Sequence, residues 1–98
     1  MRRGEYFDAH EELEIAWRAA APEERDFLQG LVHVTVAWYQ AGRDRPVACA
    51  SQLEKARRRL AAYAPAHRGV DVASVLEQVD EAERLVAGGS LVLGPLRV

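Results

Sequence analysis

The residues best suited to chemistry lie on the first two of four predicted helices. His10 falls near the centre of an apolar helix face, and Glu14 follows it by four residues on the same side, while Glu11 lies further towards solvent. On the second predicted helix, the only polar line on an otherwise apolar cylinder is the row Gln29, His33, Val36 and Gln40. We therefore expect buried polar side chains from two neighbouring helices to meet.

Three arrangements would satisfy these groups, since a buried polar group left unpaired costs roughly 1–3 kcal/mol. In the first, His10 and Glu14 hydrogen-bond to Gln29, His33 or a main-chain carbonyl and fix the packing of the two helices. In the second, His10, Glu14 and His33 bind a divalent metal ion, with Glu11 or Gln29 nearby. Imidazole and carboxylate suit zinc, manganese or iron, and helical bundles hold such sites in their cores. In the third, the same groups form an acid/base pair without metal.

Two well-known catalytic patterns are not present. The segment His10-Glu11-Glu12-Leu13-Glu14 has no second histidine at position 14, so it does not form the zinc-peptidase H-E-x-x-H motif. The serines stand in no nucleophile elbow. The sequence therefore supports neither of these mechanisms.

The elements that must position the candidate residues are all helical. We predict an all-α fold, a compact four-helix array or bundle in a single domain spanning 1–98, with a short extended tail. The predicted helices cover about 5–20, 23–41, 46–63 and 72–87, and the tail covers 88–98. Pro22 and Pro46 suit first helical turns, Gly42 and Gly88 suit helix ends, and Asp71 is the expected N-cap of the fourth helix.

The apolar patterns predict how these helices pack. The second predicted helix is apolar around nearly its whole circumference, which places it in the middle of the fold. The third carries a stripe of mostly small residues, so we expect a neighbouring helix to approach it closely. That stripe is Cys49, Leu53, Ala56, Leu60 and Ala64. The inward face predicted for the fourth helix is Val72, Val75, Leu76, Val79 and Val86. The tail is expected either to fold back as an arm or to cover a partner subunit.

Composition and charge limit the expected partners. The net charge is −2 with both signs interleaved, so nucleic acid is not an expected partner. No apolar run approaches the roughly 20 residues that a membrane span needs. Cys49 is the single cysteine and is expected to be a buried hydrophobe, in agreement with a reducing, cytoplasmic location. A domain this small gains from association, so we expect a homo-oligomer, with a dimer favoured.

Other conspicuous residues have ordinary explanations. We expect the basic run Arg57-Arg58-Arg59 to form a solvated helix face. Trp17 and Trp38 have the spacing of core residues. His67 lies in a loop between Pro65 and Gly69 and is expected to be exposed.

Two segments carry a resemblance to a known family. The stretch from Phe7 to Trp17, followed by Phe27-Leu28-Gln29-Gly30-Leu31-Val32-His33, resembles the signature of domain of unknown function 309, a family of small bacterial and archaeal helical proteins. The likeness extends over about residues 5–85. It implies a compact helical array and a predicted metal-dependent hydrolase. The positions matching the family are His10, Glu11, Glu14, Trp17, Gln29 and Gly30. Family members often carry histidine where this chain has Gln40, so one potential ligand is missing.

Two functional hypotheses follow. In the first, the protein is a metal-dependent hydrolase in which His10, Glu14 and His33 hold the ion and Glu11 acts as general base. In the second, it is a non-catalytic helical module for self-association or partner binding, and the polar residues give the packing its specificity. Neither hypothesis specifies a substrate.

Overall fold

The computed structural model describes Ile15 and residues 22–98, with side chains from residue 24 onwards in the second range. This part of the chain contains three α-helices, a 3-10 turn and an extended tail, and it contains no β-strand. The helices are α1 (Pro22–Gly42), α2 (Pro46–Leu60) and α3 (Val72–Ala87), and the 3-10 turn spans Ala61–Tyr63. The prediction of an all-α protein is confirmed. Apart from an exposed, helical Ile15, the predicted helix at 5–20 lies outside the described residues.

Prolines and caps set the helix boundaries. Pro22 and Pro46 stand at the first positions of α1 and α2, where the missing N–H has no helical partner to lose. Asp71 caps α3, since its Oδ1 accepts a hydrogen bond from the backbone N–H of Ser74 at 3.0 Å. A short turn through Arg43 and Asp44 joins α1 to α2, which makes these two helices antiparallel neighbours.

The observed end of α2 differs from the predicted one. The α-helix ends at Leu60, and the next three residues tighten into the 3-10 turn, whereas the predicted helix continued to residue 63. Ala64 is extended (φ −70°, ψ 152°), as expected of a residue that precedes a proline. Ala64 is therefore exposed and does not continue the buried stripe of α2.

The core is built as the apolar patterns predict. α1 is buried around most of its circumference, α2 buries its small stripe, and α3 buries Val72, Val75, Val79 and Ala82, with Leu76 and Val86 half-buried. The buried residues of α1 are Phe27, Leu31, Val32, Val34, Thr35, Ala37, Trp38 and Ala41, and those of α2 are Cys49, Leu53, Ala56 and Leu60. Burial raises the pKa of the Cys49 thiol, which keeps it protonated and apolar in character. None of the described helices is both long enough and apolar enough to cross a membrane.

α1 and α2 are in tight contact at Gly30. A Cβ atom built on Gly30 would lie 2.6 Å from Cδ2 and 2.7 Å from Cγ of Leu60, a side chain with no exposed surface. Any side chain larger than hydrogen would force the helices apart or push Leu60 out of its place. The packing of Leu60 therefore gives a steric reason for the glycine at position 30, which is one of the positions that match the family.

We predict that Gly30→Ala destabilises the protein. Overpacking costs about 1–3 kcal/mol and the better helix propensity of alanine returns up to about 1 kcal/mol, so the net loss should be about 1–2 kcal/mol in urea unfolding. Gly42→Ala is the matched control, because a Cβ at Gly42 meets no atom within 4 Å. Equal unfolding free energies for the two variants would contradict the tight contact.

The tail folds back onto its own chain. Trp38 Nε1 donates a hydrogen bond to the Gly94 carbonyl at 2.9 Å, and Leu91, Leu93 and Leu96 pack against the core. Of the two expectations for the tail, the folded-back arm is the one that the structure shows.

Candidate functional site

His33 lies in the seam between α1 and α2, and its ring is fixed by a residue of α2. The ring Nδ1 is 2.6 Å from the side-chain oxygen Oε1 of Gln52. Because a carboxamide oxygen can only accept, Nδ1 carries the hydrogen and donates it. The opposite ring nitrogen, Nε2, therefore keeps a lone pair. Its contact with the side-chain nitrogen of Gln29 is long, at 3.5 Å.

The surroundings of His33 favour the neutral imidazole. Burial is the largest cause that lowers the pKa of His33, and the positive charges of Arg59 and Lys55 lower it further, while the hydrogen bond to Gln52 opposes them. The ring is consequently neutral at physiological pH. A neutral imidazole with a fixed Nδ1–H and a lone pair on Nε2 is the form of histidine that binds metal ions.

A second acceptor lies on the same side of α1. Gln40 follows His33 by seven residues, which is close to two helical turns, so both side chains project from one face. Gln40 Oε1 is buried and has no hydrogen-bond partner in the part of the chain that the structure describes. Each of the two acceptors needs its own donor, because two helical turns, roughly 10 Å, separate them along α1.

Only some of the predicted site residues can be placed. Gln29, Gly30 and His33 lie together on the side of α1 that meets α2. His10, Glu11, Glu14 and Trp17 lie outside the described residues, so the meeting of His33 with the first predicted helix stays a prediction. Among residues 22–98 and Ile15, no three or more His, Cys, Asp or Glu side chains are grouped as metal ligands.

Gln52, the partner of His33, is not among the site residues predicted from the sequence. A weak signal was present, because Gln52 lies immediately before Leu53 and three residues after Cys49, at the edge of the buried stripe of α2. A half-buried, uncharged polar residue at such an edge needs a partner from the facing helix. The polar row of α1 that contains His33 was the candidate partner on the facing helix.

Comparison with known proteins agrees with the resemblance in the sequence. The family model described as "Domain of unknown function (DUF309)" matches residues 1–51, slightly more than half of the chain. The chain belongs to the DUF309 family. No curated protein and no solved structure matches this chain. The matched residues of this DUF309 protein include α1 and the beginning of α2, and so contain His33 and Gln29 but not Gln52.

A second polar cluster in the DUF309 protein joins the start of α1 to the loop before α3. His67 Nε2 is 2.8 Å from Glu24 Oε2, and Arg68 Nε is 3.2 Å from the same oxygen. The His67 ring packs against the rings of Phe27 and Tyr63, with centroids 4.6 and 4.9 Å away. The expectation that His67 is exposed is therefore wrong, because its side chain is only 28% exposed.

The basic run of α2 is paired with acids. Arg57 binds Glu83 of α3 at 2.9 Å, Arg59 binds Asp26 of α1 at 2.5 Å, and Arg58 pairs with Glu54 within α2 at 3.3 Å. All three arginine side chains stay largely exposed, as predicted for a solvated face. Exposed pairs of this kind contribute little to stability. The pairing also leaves little uncompensated positive charge on this surface.

We predict that the Glu24 cluster makes stability depend on acid pH. The hydrogen bond from His67, and secondarily Arg68, lowers the pKa of Glu24 in the folded protein. A lowered folded pKa means that the stabilisation is present above the unfolded pKa of about 4.3 and is lost as pH falls through the folded value. Glu24→Gln should therefore be less stable than wild type at pH 7, and this difference should shrink below about pH 4.

Urea unfolding of both proteins between pH 3 and pH 7, roughly the range over which the carboxyl titrates, measures this effect. Glu54→Gln is the control, because Glu54 forms only an exposed pair within α2 and should leave the pH profile unchanged. A difference between Glu24→Gln and wild type that stays constant across the range would contradict the linkage.

Proposed function

We propose that this DUF309 protein is a metal-dependent hydrolase in which His10, Glu14 and His33 bind one divalent ion, zinc, manganese or iron. The predicted helix at 5–20 would complete a four-helix array by packing its His10 face against α1. The observation that carries the proposal is the hydrogen bond from His33 Nδ1 to Gln52 Oε1, which leaves the lone pair of Nε2 with a long, 3.5 Å contact to the Gln29 side chain.

The seam has the chemistry that a metal site requires. Metal-binding histidines usually donate the second ring N–H to an oxygen, which fixes the tautomer and the ring orientation. Gln52 does this for His33, and burial keeps the ring neutral so that no proton competes for Nε2. His33 is thus a suitable ligand for the ion that the family resemblance implies.

The roles of the residues follow from their chemistry. A bound divalent ion would supply Lewis acidity and lower the pKa of a coordinated water molecule. Glu11, one residue after His10 and further towards solvent, would accept the proton of the attacking water as general base. Gln52 would hold the His33 ring in place, and Gln29 would contribute a hydrogen-bond donor beside it.

The same seam favours a second candidate, a non-catalytic helical module that forms homo-oligomers, with a dimer favoured. The observation behind it is that the His33–Gln52 hydrogen bond connects α1 to α2, the helices that also touch at Gly30 and Leu60. In this case the polar residues would only fix how the helices pack. Under either proposal the protein acts in the cytoplasm, without nucleic acid or a membrane as partner.

Metal content of the untagged protein tests the hydrolase. Elemental analysis of the wild type should find about one divalent ion per chain, and His10→Ala and His33→Ala should lose it. Gln52→Leu should keep the fold but lower metal affinity by about 10–100-fold, because the His33 ring loses the acceptor that orients it. Gln52→Glu is the matched control, since a carboxylate accepts from Nδ1 equally well, and it should bind metal like the wild type.

The opposite result identifies the second candidate. Wild-type protein that binds no ion even after incubation with zinc, manganese or iron(II), together with a clear loss of thermal stability in His33→Ala, would contradict the metal site. It would assign the seam to helix packing alone.

A further inference from the structure

The tail lies across a groove between α1 and α3. We call this surface the tail groove; it is formed by Trp38 of α1 and by Glu77, Gln78 and Glu81 of α3. The tail residues Leu93, Pro95 and Arg97 lie on the other side of the same space and are not part of the groove itself. Residues 90–98 have no regular secondary structure, so the groove holds an extended peptide segment.

The tail groove binds the main chain of this segment. Gln78 Nε2 donates to the carbonyl oxygen of Arg97 at 2.6 Å, and the N–H of Arg97 donates to Gln78 Oε1 at 2.8 Å. One carboxamide thereby pairs with both main-chain groups of one residue, as a neighbouring β-strand would. Trp38 Nε1 adds a third main-chain contact, at Gly94. Peptide-binding grooves gain affinity in this way, and pockets for alternate side chains add specificity.

Side chains of the tail supply that specificity. Leu91 and Leu93 are two residues apart and both pack against the core, while Val92 between them is 83% exposed. Leu96 packs against the core after the turn at Gly94, which has a positive φ of 73°. Arg97 borders the same cavity as Glu77 and Glu81. The tail is therefore held through the side chains of its three leucines and through the main chain at Gly94 and Arg97.

The tail is joined to α3 by a short connection that contains two glycines. α3 ends in a glycine pair, and Gly89 has a φ of 91°, which a residue with a side chain rarely adopts. The last described backbone hydrogen bond that anchors this connection runs from the N–H of Ser90 to the carbonyl of Leu85. Beyond Ser90 the described hydrogen bonds to the helices all come from the side chains of Trp38 and Gln78. The tail can consequently leave the groove without unwinding α3.

We propose that the tail groove also accepts the tail of a second copy of this chain, so that two copies exchange tails and form a dimer. Each contact described above joins a tail to a groove, and every copy carries both. Exchange preserves all of these contacts and changes only the conformation at Gly88 and Gly89, which makes it a low-cost route to a dimer. This inference specifies the interface of the proposed homo-oligomer and is independent of the metal site.

Two full-length variants with complementary defects test the exchange. Leu93→Asp replaces an apolar contact of the tail by a charge and leaves the groove intact. Gln78→Leu removes the carboxamide of the groove that binds the main chain of Arg97 and leaves the tail intact. The wild type should dimerise as its concentration rises in analytical ultracentrifugation, and each variant alone should dimerise severalfold more weakly. A mixture of the two should form a heterodimer in native mass spectrometry, because the intact tail of one variant enters the intact groove of the other.

The matched control is Val92→Asp, which adds the same charge one residue earlier at an exposed position and should dimerise like the wild type. Circular dichroism shows whether each variant keeps its helices. Tail exchange is overturned if the complementary mixture stays monomeric, or if Leu93→Asp dimerises as strongly as Val92→Asp.

A peptide measurement tests the groove by itself. A fluorescein-labelled peptide with the sequence of residues 90–98 should bind the Leu93→Asp chain, as measured by fluorescence anisotropy. Its affinity for the double variant Leu93→Asp/Gln78→Leu should be severalfold lower. Absence of peptide binding to Leu93→Asp would overturn the assignment of the groove as a peptide site. Because no metal is needed, these results do not depend on the hydrolase proposal.

Discussion

The close contact between α1 and α2 determines where the polar side chains of this protein meet. At Gly30 the two helices approach so closely that a methyl group would overlap Leu60. That contact, together with the short turn at Arg43 and Asp44, fixes how far along α2 each residue of α1 lies. His33 then faces Gln52, and seven residues earlier on α1 Asp26 faces Arg59. A shift of one helical turn, about 5.4 Å, would separate both pairs.

The hydrogen bond between His33 and Gln52 has two physical consequences. A hydrogen bond between buried side chains of two helices gives the packing a preferred register, since any other register leaves both groups unpaired. The same hydrogen bond uses only one nitrogen of the His33 ring and leaves the other with a lone pair. Gln29 Nε2 lies 3.5 Å from that second nitrogen, so the ring that fixes the packing also has an atom placed to accept a hydrogen bond or to bind a metal ion.

Much of the fold could be predicted because local chemistry determines it. The helix starts at Pro22 and Pro46, the N-cap at Asp71 and the stop at Gly88 follow from backbone and capping preferences that act within one turn. The buried stripe of α2 followed from periodicity, except at Ala64. There the constraint that Pro65 imposes on the preceding residue was stronger than the apolar pattern.

The missed features all depend on partners distant in sequence. Gln52 is 19 residues from His33, and Glu24 is 43 residues from His67. Nothing within one helical turn of His67 shows that Phe27 and Tyr63 will enclose its ring. A loop position bounded by proline and glycine usually predicts exposure, but here tertiary packing was decisive. The candidate metal ligands were predicted from the polar positions of two helices, and of these ligands His33 is the one that the structure places.

The folded-back tail follows from the apolar character of α1. A helix that is apolar around its circumference must be covered on more sides than α2 alone can reach. At the end of α1 that carries Trp38, the cover is the tail, with Leu91, Leu93 and Leu96 against the core. Because a tail has no regular partner strand, its main-chain groups must be satisfied by side chains, and Trp38 and Gln78 do this. The need to cover α1 therefore also creates a surface that recognises an extended chain, whether that chain is the protein's own or belongs to a second copy.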